Sequence, residues 1–147
     1  MKRMKVLFTA MMLFVAASAF ATGEENVSTR VQEAFRQDFA AGNNVKWEKS
    51  NDFYFASFTL DNTTVSSAYD EEGKLLGTSR SIRPSQLPLT VTLSLEKKYA
   101  GYKVSENVLE LNFDGETRYY LSVYNEHELV SLKALSDGEL AVEPKKK

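Results

Sequence analysis

The chain has 147 residues, 18 Lys and Arg against 20 Asp and Glu, 43% apolar residues and no cysteine. That length suits one globular domain behind a leader. The absence of cysteine excludes disulfides, thiol chemistry and acylation of a lipoprotein cysteine, and the acidic balance argues against nucleic acid, which demands a basic face.

The chain opens as a processing signal. Lys2, Arg3 and Lys5 form a basic start, Val6 to Ala17 is apolar apart from Thr9, and Ala19-Phe20-Ala21 is a small-x-small cleavage site. The apolar run is short for a bilayer span of about 20 residues. Residues 1–21 are therefore expected to be a signal peptide cut after Ala21, with no membrane insertion afterwards and a periplasmic or secreted destination. Its removal takes three cations, so the mature side-chain charge becomes 15 − 20 = −5.

Residues 22–147 read as a single domain. Val27, Val31, Phe35 and Phe39 recur every four residues and predict an amphipathic helix. Ser28 or Thr29 can cap it, Gln32 completes a capping box with Thr29, and Gly42 is expected as its left-handed C-cap. Strands follow around Val45–Trp47, at Phe53–Leu60, Thr63–Asp70 and Lys74–Ile82. The connector Pro84-Ser85-Gln86-Leu87-Pro88 comes next. Leu87 to Leu95 alternates like a strand, and its Thr90-Val91-Thr92 favours one. Val91, Leu95 and Tyr99 also fit a helix stripe, and the chain's internal repeat decides for helix. Strands are then predicted near Tyr102–Phe113, Glu116–Tyr124, Glu128–Leu135 and Glu139–Val142, with hairpin turns at Asp114-Gly115 and Asp137-Gly138.

The repeat is visible in two offsets. Phe39-Ala40-Ala41-Gly42 and Tyr99-Ala100-Gly101 lie 99 − 39 = 60 positions apart, and Gly73 and Gly138 lie 138 − 73 = 65 apart. A period of that size means a duplicated supersecondary unit, here about 27–83 and 87–143. The expected fold is α+β: tandem α-β4 repeats forming one antiparallel sheet of about eight strands, with two helices on one face. The 65-residue offset matches Tyr54, Ala56 and Phe58 to Tyr119, Leu121 and Val123, which should face the helices. Phe53, Phe55, Tyr120 and Tyr124 then fall on the opposite side, more aromatic than a solvated face requires.

With signal, duplication and strands in place, the chain resembles the small secreted PepSY-like proteins of Bacteroidetes, whose fold is similar to the β-lactamase-inhibitor proteins. Asn44-Val45-Lys46-Trp47-Glu48, Tyr69-Asp70-Glu71-Glu72-Gly73-Lys74-Leu75-Leu76, Leu87-Pro88 and Lys97-Lys98-Tyr99-Ala100-Gly101-Tyr102-Lys103-Val104 carry the resemblance, over essentially the whole mature chain. The family usually has proline where Ala100 stands. The resemblance implies an exported tandem α/β4 domain, and by analogy protein binding or inhibition. True β-lactamase inhibitors are stapled by disulfides, which this chain cannot make, so their partner does not transfer.

Catalytic constellations are missing. His127 is the only histidine and sits in a predicted turn between Glu126 and Glu128, so the common nucleophile–base pairs cannot form. Asp70-Glu71-Glu72 reads as a hairpin turn, because Gly73 arrives too early for a calcium loop. No motif asks for a cofactor or metal. The functional expectation is a non-enzymatic periplasmic binding module. It would take an unknown protein or peptide, with possible inhibition, through Phe53, Phe55, Tyr120 and Tyr124, rimmed by Glu48, Arg118 and Glu128. Trp47 joins as a further binding candidate, although its alternation with Lys46 and Glu48 also suits a core. A small-ligand carrier and a hydrolytic enzyme are the alternatives.

Overall fold

The computed structural model describes residues 26–145; the signal-peptide expectation lies outside them. The chain is α+β. In order it forms α1 (Thr29–Asp38), β1 (Asn43–Ser50), β2 (Phe53–Leu60), β3 (Thr63–Tyr69), β4 (Leu75–Ile82), a 3-10 turn (Pro84–Gln86), α2 (Leu89–Lys98), β5 (Lys103–Val104), β6 (Val108–Phe113), β7 (Glu116–Tyr124), β8 (Leu129–Leu135) and β9 (Leu140–Val142). The strands form one antiparallel sheet in the order β1-β2-β3-β4-β6-β7-β8-β9, with β5 paired to β7. The predicted strand at Tyr102–Phe113 is interrupted: Val104 pairs with Val123, and after a break Leu109 pairs with Tyr120. Counted as one broken strand, β5 and β6 leave eight positions across the sheet. The chain divides into two compact units between Ser79 and Arg80.

In the first unit α1 begins where the sequence places a cap. Ser28 Oγ accepts from Val31 N at 3.4 Å, and Gln32 reaches back to donate to Val27 O at 3.0 Å. Val31 and Phe35 are buried on one face of α1. They pack with Trp47, Tyr54, Ala56, Phe58, Val65 and Tyr69. Tyr54 pairs with Tyr69, and Phe58 with Val65, so alternation delivers this row to the helix. Tyr69 OH donates to Asp38 Oδ2 at 3.0 Å and ties β3 to the end of α1.

Gly42 corrects one expectation. Helix α1 ends at Asp38, and Gly42 is not among the left-handed glycines. Its smallness serves packing instead, since a Cβ there would come within 2.9 Å of the Phe58 ring. The second unit shows the reciprocal arrangement at the matching positions (102 − 42 = 60; 123 − 58 = 65). There Val123 replaces the large Phe58, and Tyr102 replaces the glycine. The helix-terminal ring gets an aromatic neighbour either way: Phe39 to Phe58 at 4.8 Å, Tyr99 to Tyr102 at 5.4 Å.

The ambiguous segment is helix α2. Of its alternating apolar residues only Val91 and Leu95 are buried within the helix, against Val108, Tyr119, Leu121, Val123, Leu132 and Ala134; Leu89 and Leu93 are exposed. Tertiary burial therefore overrides the local strand propensity. Pro88 stands at its N-terminus, and its carbonyl accepts from Val91 N and Thr92 N.

The two late turns work alike. Gly73 and Gly138 are left-handed at φ +81° and +97°. A Cβ on Gly73 would approach Arg30 O to 3.1 Å, and one on Gly138 would approach Thr90 O to 2.7 Å. Each turn thus leans on the first turn of its own helix. At Asp70 the carboxylate is used by the turn itself, accepting from Glu72 N and Lys74 N at 3.1 and 2.9 Å.

Candidate functional site

Strand register defines the sheet side away from the helix in each unit. In the first unit Phe55 lies between Glu48 of β1 and Ala68 of β3, and Ser57 between Lys46 and Ser66. Phe53 is partly exposed. Phe55 is only 2% exposed and belongs to neither of the two helix-side core clusters. Alternation fixed its side of the sheet and said nothing of its accessibility. Trp47 does not lie on this side of the sheet. It stands opposite Ala56, on the helix side, is 3% exposed, and meets Phe35 edge-on at 5.3 Å.

In the second unit the corresponding side is a mosaic laid out by three strands. Leu111, Arg118 and Leu135 form one row, and Leu109, Tyr120 and Lys133 the next. Ser122 and Ser131 follow, then Lys103, Tyr124 and Leu129. Leu111 is buried, whereas Tyr124 is 40% and Leu129 58% exposed. Tyr120 is half-buried. Burial pushes its phenol above the usual range, and the neighbouring Arg118 guanidinium pulls it back. It therefore stays neutral near pH 7, a ring with a hydroxyl donor. Arg118 Nε donates to Glu116 Oε2 at 3.0 Å. The sequence reading overlooked Leu129 and Lys133, although the same alternation along β8 would have placed both beside the tyrosines.

Each unit also holds a groove at the C-terminal end of its helix. The first, about 390 Å³, is lined by Phe35, Arg36, Phe39, Val45 and Trp47 among others. The second, about 270 Å³, is lined by Leu95, Glu96, Tyr99, Tyr102, Val104 and others. Three of these pairs sit 60 residues apart, and the charge at one of them is reversed, from Arg36 to Glu96. Tyr102 OH bonds the Glu128 carboxylate at the edge of the second groove. The Tyr102 phenol is held above its usual range first by that bond. His127 lies in an exposed turn, where its backbone N–H donates to Asn125 Oδ1 at 2.8 Å. Among the described residues no group of three His, Asp or Glu side chains could hold a metal ion.

The fold is one already seen in solved bacterial structures. A BLIP-like protein from Bacteroides fragilis superposes with a TM-score of 0.66 at 21% identity, over 79% of this chain and 84% of its own. A DUF2874 family protein from Bacteroides uniformis matches at 0.66 and 17%, over 77% and 85%. Another from Bacteroides ovatus matches at 0.65 and 20%, over 78% and 86%. The chain thus has the α+β fold of these BLIP-like and DUF2874 proteins. No protein-family model and no curated protein matches the sequence.

Proposed function

We propose that the protein is an exported, non-enzymatic binding module that takes a protein or peptide partner on the sheet side away from its helices. The observation that carries this reading is the exposed cross-strand pair Tyr124–Leu129, on the same sheet side as Tyr120, Lys133 and Arg118 and separated from them by the Ser122–Ser131 pair. Exposed aromatic and aliphatic groups with polar neighbours are the composition of an interface core and its rim. In the first unit the partly exposed aromatic on that side is Phe53, and Phe55 supports that side from within. The name BLIP-like belongs to the B. fragilis protein; at that identity it supports a shared scaffold, and no partner is carried over.

The test is capture from periplasmic extract followed by mass spectrometry, using the wild-type protein and the Tyr124→Ala and Leu129→Ala variants. Both variants should melt like wild type and lose the captured partner, at about 2 kcal/mol or more for a hot-spot side chain. Unchanged capture by both would refute the assignment of this face.

A further inference from the structure

The internal duplication exposes an unfilled position in the sheet. Strand β6 has neighbours on both sides, β7 on one and β4 on the other, whereas β1 is paired only to β2 among the described residues. The two strands are equivalent. Lys49 pairs with Tyr54 and Glu110 pairs with Tyr119, and 119 − 54 = 65 is the repeat offset. Lys49 of β1 therefore corresponds to Glu110 of β6. By the same register Trp47, opposite Ala56, corresponds to Val108.

What β4 brings to β6 is specific. Arg80 Nε donates to Glu110 Oε1 at 2.6 Å. Two residues on, Ile82 is buried in the same apolar cluster as Val108. The strand beside β6 thus supplies a cation and then an aliphatic residue, both on the helix side. At β1 the charges are reversed. Lys49 replaces Glu110, and the groove beside β1 carries Arg36 where the second unit has Glu96. Neither Lys49 nor Arg36 has an ion-pair partner among the described residues, and both are exposed. Lys49 Nζ lies 5.3 Å from the Tyr54 ring centroid.

We propose that the outer edge of β1 receives an extended peptide strand from a partner, with an acidic residue followed two positions later by an aliphatic one. The acid meets Lys49, and the aliphatic side chain enters the groove lined by Arg36, Phe39, Val45 and Trp47. Main-chain hydrogen bonds supply affinity, and the alternating side chains supply choice, as in β-strand addition generally. The edge is regular only from Lys46 to Ser50, because the register shifts between Asn43 and Lys46, where Asn44 is left-handed at φ 54°. That bulge and the lysines hinder indiscriminate edge pairing, and the same lysine selects an acidic strand. This inference concerns a separate surface and does not rest on the sheet-face reading.

The experiment uses the 15N-labelled protein and a capped peptide, Gly-Thr-Ser-Glu-Ser-Ile-Thr, which repeats the β4 pattern with its charge inverted. Saturable amide shifts should appear at Lys46–Ser50 and around Arg36–Phe39, with slowed amide exchange along β1. Replacing the peptide's Glu by Lys should weaken binding by about tenfold or more at low salt. The exposed double substitution Arg36→Glu, Lys49→Glu should reverse that preference while leaving the spectrum otherwise folded. No shifts at millimolar peptide, shifts confined to the Tyr120–Tyr124–Leu129 side, or indifference to the peptide's charge would each overturn the proposal. So would concentration-dependent shifts of β1 without peptide, because a second copy would then hold the edge.

Discussion

At the scale of single residues, the sharpest constraint is a missing atom. Gly138 sits at φ +97° with Thr90 O and Ser94 Oγ each 2.7 Å from where a Cβ would lie, and the backbone carbonyl cannot swing aside. Gly115 is also left-handed, at φ +74°, with nothing within 4 Å. Gly115→Ala should therefore cost only the left-handed strain, about 1 kcal/mol. Gly138→Ala should cost about 3 kcal/mol or more, because a clash is added to that strain. Urea unfolding of the two variants measures the difference, and equal midpoints would remove the contact from the explanation. Tyr69 makes the second residue-scale prediction. Burial, then the bond to Asp38, raises its phenol pKa in the folded chain above the ordinary 10.0. Above about pH 10 the unfolded chain then holds fewer protons than the folded one, so stability is intact below that pH and falls as pH rises through it. Tyr69→Phe should lose about 1 kcal/mol at neutral pH with its hydrogen bond and show a shallower alkaline decline. Tyr119 and Tyr120, also raised by burial, retain part of the slope. An unchanged slope in urea titrations from pH 9 to about 11 would assign the decline to other groups.

Secondary-structure elements were the most legible level, and the reasons are local. A four-residue apolar rhythm with Ser28 before it is enough to write α1. Asp61-Asn62 and Asp114-Gly115 both have positive φ at their two central residues, which is what a two-residue hairpin of matching twist requires. Helix α2 was legible only through the repeat, since its own residues alternate. The end of α1 was misread at Gly42, because a glycine required by the Phe58 ring looks the same in sequence as a glycine required by a left-handed cap. The candidate site was half legible for a related reason. Alternation assigns a side of the sheet, as for Tyr124 and Phe55, but accessibility depends on what else packs there, and the two rings end at 40% and 2% exposure. That contrast sets the element-scale prediction. Phe58→Ala should cost about 3–5 kcal/mol, and Phe55→Ala, equally buried, should fall in the same range. Tyr124→Ala should stay within about 0.5 kcal/mol of wild type. Thermal melting of the three variants decides it, and a harmless Phe55→Ala would return that ring to the exposed anchors.

For the whole molecule the question is whether the two compact units unfold separately or as one. Each unit has its own apolar cluster around its own helix, which would allow independent unfolding. Against this, the boundary between Ser79 and Arg80 falls inside β4, which runs unbroken from Leu75 to Ile82. Unfolding one unit alone would leave half a strand without its ladder, with exposed backbone donors and acceptors. Domains of this length also usually unfold in one cooperative step. The sequence supplies a probe that separates the two outcomes. Trp47 is the single tryptophan and is buried in the first unit's cluster, so its fluorescence reports that unit alone, whereas far-UV circular dichroism reports both. The expected result is coincident urea transitions by the two signals. Leu132→Ala should make the argument decisive, because Leu132 is buried in the second unit's cluster. It should lose about 2–5 kcal/mol and move the Trp47 midpoint as far as the dichroism midpoint. If the fluorescence transition stays where the wild type has it while the dichroism splits into two steps, the two units fold separately. The sheet would then be held together by its chain rather than by cooperativity.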